Sequence, residues 1–263
     1  MAQQPRLTVR AEHAVTGGRR LTVDLDVGGE ISVPGVLLVP AWRRPAPAAV
    51  LLHGYSSQKE HLADTVGDAL LEREIASLAI DLPLHGERGD SMQQQSLRNP
   101  LALLAQWRLA IRETTLALRV LEQTREVDAS ALAIVGYSMG SFLGVTVAAS
   151  EPAVRAVVLA AGGDLPAHTP LSRLIRSVAD PLRAVRRLAG RPLLMVHGRQ
   201  DHVVRPEQAE RLFAAAGEPK TLRWYDAGHR LPPDVIRDAA GWLREQLLGA
   251  PADQERERGA TRT

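Results

Sequence analysis

Ser138 stands at the centre of Gly136-Tyr137-Ser138-Met139-Gly140, with the apolar run 131–135 before it and the small-residue stretch 141–150 after it. A G-x-S-x-G turn between a buried strand and a helix holds a serine hydroxyl above the sheet, beside a helix N-terminus and the N–H of the next residue. The turn is tight enough to strain the backbone at the serine, and Gly136 and Gly140 lack the Cβ atoms that would collide there. A hydroxyl is a weak nucleophile at its own pKa and needs a base within hydrogen-bond reach. The base needs an acid that holds its tautomer and stabilises its cation. Two later stretches can supply these groups. The run 192–197 leads into Gly198-Arg199-Gln200-Asp201-His202, which puts Asp201 just past a strand end. The run 221–225 leads into Asp226-Ala227-Gly228-His229, which puts His229 in the loop before the last helix. The chain order Ser138, Asp201, His229 suits acyl transfer at the carboxyl edge of an α/β sheet.

Other polar residues compete for roles. Asp201 could instead cap the helix near Pro206, and Asp226 is a rival acid only three residues from His229. His53 and His197 end strands ahead of glycines and read as packing or supporting residues. His85 and His202 are candidates for a substrate pocket. No H-E-x-x-H or paired-carboxylate spacing indicates a metal site.

These residues need a scaffold, and the periodicity supplies one. Residues 6–15 and 19–27 alternate apolar and polar side chains around Thr16-Gly17-Gly18, a hairpin pattern, and 31–39 continues the antiparallel start. From Ala48 the pattern changes to short, wholly apolar strands (49–53, 77–81, 131–135, 156–161, 192–197, 221–225) separated by helical segments (59–74, 100–124, 171–188, 206–216, 233–248). Apolar strands alternating with helices predict a doubly wound, mostly parallel sheet with antiparallel strands at its N-terminal side. Residues 1–249 read as one domain with a short helical insert at about 165–190, and the charged tail 250–263 reads as disordered. The insert, with Leu171, Ile175, Val178 and arginines 173, 176, 183, 186 and 187, is either a small lid admitting acyl chains and favouring anions, or an ordinary crossover helix.

Composition removes several classes. With no cysteine there is no thiol nucleophile, disulfide or Cys-bound zinc. The formal charge is +2, basic and acidic residues are interspersed, and Lys59 and Lys220 are the only lysines. That pattern does not predict a nucleic-acid partner. No run reaches the roughly 18 apolar residues of a membrane span, and the first residues have no apolar signal core, so the cytoplasm is the expected location.

From about residue 31 to 248 the chain resembles the α/β-hydrolase superfamily. His53-Gly54-Tyr55, Asp81-Leu-Pro-Leu-His-Gly86, Gly-Tyr-Ser138-Met-Gly and Gly-Arg-Gln-Asp201 resemble its esterase and dienelactone-hydrolase-like branch. The resemblance implies Ser138 as nucleophile, Asp201 as acid and His229 as base, with the backbone N–H groups of Tyr55 and Met139 forming an oxyanion hole. It implies a small-molecule carboxylic ester as substrate and no cofactor. Serine stands where dienelactone hydrolases carry cysteine, which favours ordinary esters over the dienelactone. An amidase or peptidase, an acyltransferase and a non-catalytic ligand-binding member are the alternatives. The sequence leaves the oligomeric state open.

Overall fold

The computed structural model describes residues 6–26, 32–41, 44–89, 99–166 and 169–248. The tail 250–263, expected to be disordered, lies outside the described residues. Strands β1 (Arg6–Val15), β2 (Gly18–Asp26) and β3 (Val33–Pro40) run antiparallel, and β3 pairs antiparallel with β5 (Ala76–Ile80). From β5 onward the pairing is parallel through β4 (Ala46–Leu52), β6 (Val127–Tyr137), β7 (Val154–Ala160), β8 (Leu193–Gly198) and β9 (Lys220–Tyr225). Among the described residues the order across the sheet is β1-β2-β3-β5-β4-β6-β7-β8-β9. This is the α/β architecture expected from the alternation of apolar strands and helices.

Period-two alternation sorts the strand side chains onto two cores. In β4, Ala48, Val50 and Leu52 join one apolar cluster while Ala49 and Leu51 join the other. The first cluster is covered by α3 (Pro100–Gln123), α4 (Met139–Ala148), α6 (Pro181–Arg186) and α7 (Pro206–Ala215). The second is covered by α1 (Lys59–Leu62), α2 (Asp68–Leu71) and α8 (Pro233–Leu248). Strands buried on both faces have no use for polar side chains, which is why they read as unbroken apolar runs.

Two helical stretches differ from the sequence reading. The segment expected as one helix over 59–74 contains a π-helical turn, Ala63–Gly67, between α1 and α2. The insert expected as one helix over 171–188 is two short helices, α5 (Pro170–Arg176) and α6. The break has a local cause. Asp180 caps α6 by accepting from the N–H groups of Leu182 and Arg183, and Pro181 has no N–H with which to continue the preceding helix. Among the described residues no helix is long and apolar enough to cross a membrane.

Candidate active site

Ser138 joins β6 to α4 with φ 51° and ψ −112°, a backbone region that costs a non-glycine residue about 1–3 kcal/mol. The close packing around it explains the two flanking glycines. A Cβ on Gly140 would lie 2.0 Å from the carbonyl oxygen of Leu52, and one on Gly136 would lie 2.3 Å from that of Gly140. Ser141 braces the turn, its hydroxyl 2.8 Å from the carbonyls of both Gly136 and Ala160. The Ser138 amide donates to Ala160 O at 2.8 Å. Sequence reading did not single out Ser141; its place three residues after the serine was the available signal. Ser56, Leu84 and Ala161, also at positive φ, lie in the loops that follow β4, β5 and β7, so strain collects at this edge of the sheet.

The loops after β8 and β9 are locked to each other. Arg199 N donates to Tyr225 O and Gln200 N to Ala227 O, each at 2.9 Å. A Cβ on Gly198 would lie 2.3 Å from the carbonyl oxygens of both Ala227 and Gly228, so only glycine permits this approach. The result places His229 between the other two groups. Its Nε2 is 2.9 Å from Ser138 Oγ and its Nδ1 is 2.8 Å from Asp201 Oδ2. Asp201 is buried, and its other oxygen, Oδ1, accepts from the N–H groups of Val203 (2.8 Å) and Val204 (3.0 Å). The turn at 201–204 and the contact to His229 are therefore made by different oxygens of one carboxylate, while the cap of the helix at Pro206, the alternative offered for Asp201 in sequence, falls to Arg205. Asp226, the rival acid, accepts from the Gln200 amide at 2.7 Å.

The remaining histidines divide by burial. His53 is buried, accepts at Nε2 from Leu82 N (3.1 Å) and donates from Nδ1 to Gly54 O (2.8 Å). Burial holds it neutral, its pKa pushed down to about 4. His197 is buried behind Asp201, donates from Nε2 to Val204 O at 2.9 Å and is also shifted down by burial. Both support loops of the site, as the sequence reading had it. A second tie that the sequence reading missed comes from Tyr137. Its hydroxyl donates to the carbonyl of His229 and accepts from Leu231 N at 3.1 Å.

A model of the Alpha/beta hydrolase family matches residues 49–254. The chain belongs to the α/β-hydrolase family. It is 25% identical over 229 residues to Esterase YjfP of Escherichia coli (strain K12), a match covering 77% of this chain and 90% of that protein. Among solved structures it is similar to a cold-adapted esterase from an Arctic intertidal metagenomic library, with TM-score 0.75 and 22% identity over 90% of this chain and 98% of that one. It is also similar to acetyl xylan esterase 1 from Thermoanaerobacterium sp. JW/SL YS485, with TM-score 0.74 and 18% identity over 92% of this chain and 88% of that one.

In this α/β-hydrolase, Ser138 opens into a cleft of about 450 Å³. Tyr55, Met139 and His85 line it with Ser138, so these sequence candidates do gather there. His202 does not. It is exposed, and the apolar side chains of its neighbours Val203 and Val204 take that part of the wall. A Cβ built on Gly54 would lie 3.3 Å from Ser138 Cβ, which shows how closely the loop before Tyr55 approaches the serine.

The wall formed by residues 82–85 is anchored from behind. Lys59, fully buried, reaches Glu60 (2.7 Å), Asp81 (2.8 Å) and Glu87 (2.8 Å). Burial alone would lower its pKa, but the hydrogen bonds to Asp81, Glu60 and Glu87 outweigh that and hold it up at about 12. Glu87, hydrogen-bonded to Arg10 and Lys59, is held down at about 2. Arg88 forms a two-pronged pair with Glu113 at 2.6 and 2.9 Å. Among the described residues no group of three or more His, Asp or Glu side chains converges as a metal site requires.

Proposed function

We propose that the protein is a serine carboxylesterase that cleaves carboxylic esters of small to medium size through an acyl-enzyme. The observation that carries this reading is the unbroken relay Ser138 Oγ, His229 Nε2 (2.9 Å), His229 Nδ1, Asp201 Oδ2 (2.8 Å). His229 removes the proton of Ser138 as the hydroxyl attacks the ester carbonyl, and Asp201 stabilises the imidazolium that forms. The oxyanion is received by the N–H groups of Tyr55 and Met139. Met139 is the first residue of α4, where an N–H has no partner within the helix and lies at the positive end of its dipole. Each such donor is worth about 3–4 kcal/mol of barrier. His229 then protonates the leaving alcohol, and water, activated by the same imidazole, releases the acid from Ser138. No step calls on a cofactor.

The relatives and neighbours named as esterases support the same reaction class. An amidase or acyltransferase would use the same groups, and nothing in the cleft favours either. A non-catalytic binding role is disfavoured, because a strained serine held against an oriented histidine has no purpose in passive binding. The deciding experiment combines p-nitrophenyl ester turnover with labelling by a fluorophosphonate. The wild type should turn over esters and be labelled, while Ser138→Ala should lose both, with kcat/KM down by about ten-thousandfold or more. A wild type that is folded yet neither labelled nor active refutes the reading.

A further inference from the structure

The cleft has a chemical character that goes beyond ester cleavage. Its volume, about 450 Å³, falls within the range of roughly 300–1,000 Å³ typical of sites that enclose most of a drug-sized ligand. An acetyl group would leave most of it unfilled. The walls are Leu103, Trp107 and Ala110 from α3, Phe142 from α4, and Leu171 and Ile175 from α5. The apolar character continues to the mouth, where Tyr55 (48% exposed), Leu171 (52%) and Val203 (66%) face solvent. Two polar side chains of the lining are bonded to the backbone. Gln208 donates to Asp164 O at 2.6 Å and accepts from Arg205 N at 3.1 Å, and His85 Nδ1 is bonded to Pro83 O at 2.8 Å. Among the described residues no charged side chain lines the cleft. Against these lining residues a charged substrate group would lose its water without gaining a counter-ion, whereas an apolar group gains by burial.

The wall contributed by α5 is held in place by a charge clasp. Ile175 packs with Leu165 and Ala179 in a small cluster joined by Phe142 and by Trp107, which also packs against the first sheet core. Immediately behind it, Arg176 Nη2 donates to Asp164 Oδ1 (2.6 Å) and Leu165 O (3.3 Å), and Nη1 donates to Asp180 Oδ1 (3.0 Å). Asp164 is 4% exposed and also meets Arg211 Nε at 3.4 Å. Arg176 is thereby spent on holding α5 to the loop after β7, and the other insert arginines, 173, 183, 186 and 187, are exposed and do not line the cleft. An insert that attracts anions, one of the two sequence readings, has no support here.

We infer that the cleft selects an uncharged ester carrying one medium-length apolar group, and that the Asp164–Arg176 clasp sets how firmly α5 closes on that group. The inference rests on the esterase reading above. The apolar group can belong to the acid or to the alcohol, so the test has two arms: p-nitrophenyl esters from acetate to palmitate, and acetate esters of alcohols from methanol to decanol. In one arm, kcat/KM should rise about tenfold or more from the shortest member to the hexyl–decyl range. A hemisuccinate should be cleaved about tenfold more slowly than the uncharged ester of the same length. Trp107→Ala, on the α3 wall, should move the optimum to longer chains. Arg176→Gln should lower the octanoate-to-acetate ratio by about threefold, with partial recovery in Arg176→Lys, and thermal melts of each variant check folding.

Preference for the shortest ester in both arms, or equal cleavage of the hemisuccinate, overturns the assignment of substrate class. An unchanged ratio in folded Arg176→Gln overturns the role of the clasp. Both results are distinguishable from failure of the esterase reading, in which Ser138 is unlabelled and no ester of any length is cleaved.

Discussion

The phenol of Tyr137 spans from the residue before Ser138 to the loop that carries His229, donating to the His229 carbonyl and accepting from Leu231 N at 3.1 Å. The two rings meet edge to face with centroids 6.0 Å apart. The backbone of the proposed base is thus pinned to the same turn that presents the nucleophile, although the two lie 91 residues apart in the chain.

Removing that hydroxyl should therefore affect chemistry more than binding. In Tyr137→Phe the ring contact survives and two hydrogen bonds are lost, each worth about 1 kcal/mol net. The expected outcome is a fall in kcat of about tenfold with KM little changed, and a loss of about 1–2 kcal/mol in a urea titration. A proportional rise in KM with kcat intact would mean that the contact shapes the cleft and leaves the base unaffected.

Asp201→Asn tests the relay without disturbing the turn. One side-chain oxygen still accepts from Val203 and Val204, while the amide that replaces Oδ2 offers His229 a donor and favours the wrong tautomer. The fold should persist and kcat should fall by about ten-thousandfold. Activity within tenfold of wild type would exclude Asp201 as the orienting acid.

The glycines around the serine should fail in different ways. Gly140→Ala places a Cβ 2.0 Å from a backbone oxygen that cannot move aside, so little or no soluble protein is expected. Gly54→Ala places one 3.3 Å from Ser138 Cβ, a distance that a shift of a few tenths of an ångström relieves. That variant should fold, melt within a few degrees of wild type and lose about tenfold or more in kcat, because small displacements of reacting groups are costly. Comparing soluble yield, melting and turnover of the two proteins checks both statements.

Acid should weaken the fold through His53. Burial lowers its pKa from 6.5 to about 4, so the unfolded chain binds the proton more readily than the folded one. The corresponding stability is fully present above pH 6.5 and is lost as the pH falls to about 4, an amount of about 3 kcal/mol. His197, shifted in the same direction by burial, adds to the loss. Urea titrations between pH 7 and 4 should show the decline, and His53→Gln should flatten it while lowering stability at pH 7. An undiminished slope in that variant would assign the acid sensitivity elsewhere.

Much of the fold was readable along the chain because its signals are local. Strands buried on both faces must be apolar throughout, and Gly136 answers a contact made within its own turn, although Gly140 is required by the carbonyl of Leu52 on β4. Asn99 and Thr169 cap α3 and α5 ahead of Pro100 and Pro170, as local rules predict. The π-helical turn at Ala63–Gly67 carries no such signature in its composition, and the break before α6 lay in Asp180-Pro181, hidden by the periodicity on either side.

Residue types and order alone were enough to nominate Ser138, Asp201 and His229, since a strand-to-helix turn and two strand ends restrict where reactive groups can stand. What only the tertiary structure decided is which long-range contacts those groups keep. It directed one oxygen of Asp201 to the turn and the other to His229, gave Asp226 to Gln200, moved His202 out of the cleft, and tied Tyr137 to the His229 loop. The reason is geometric. A hydrogen bond depends on distances of a few tenths of an ångström between atoms from separate loops, and those distances are set by how the sheet edge packs its loops together.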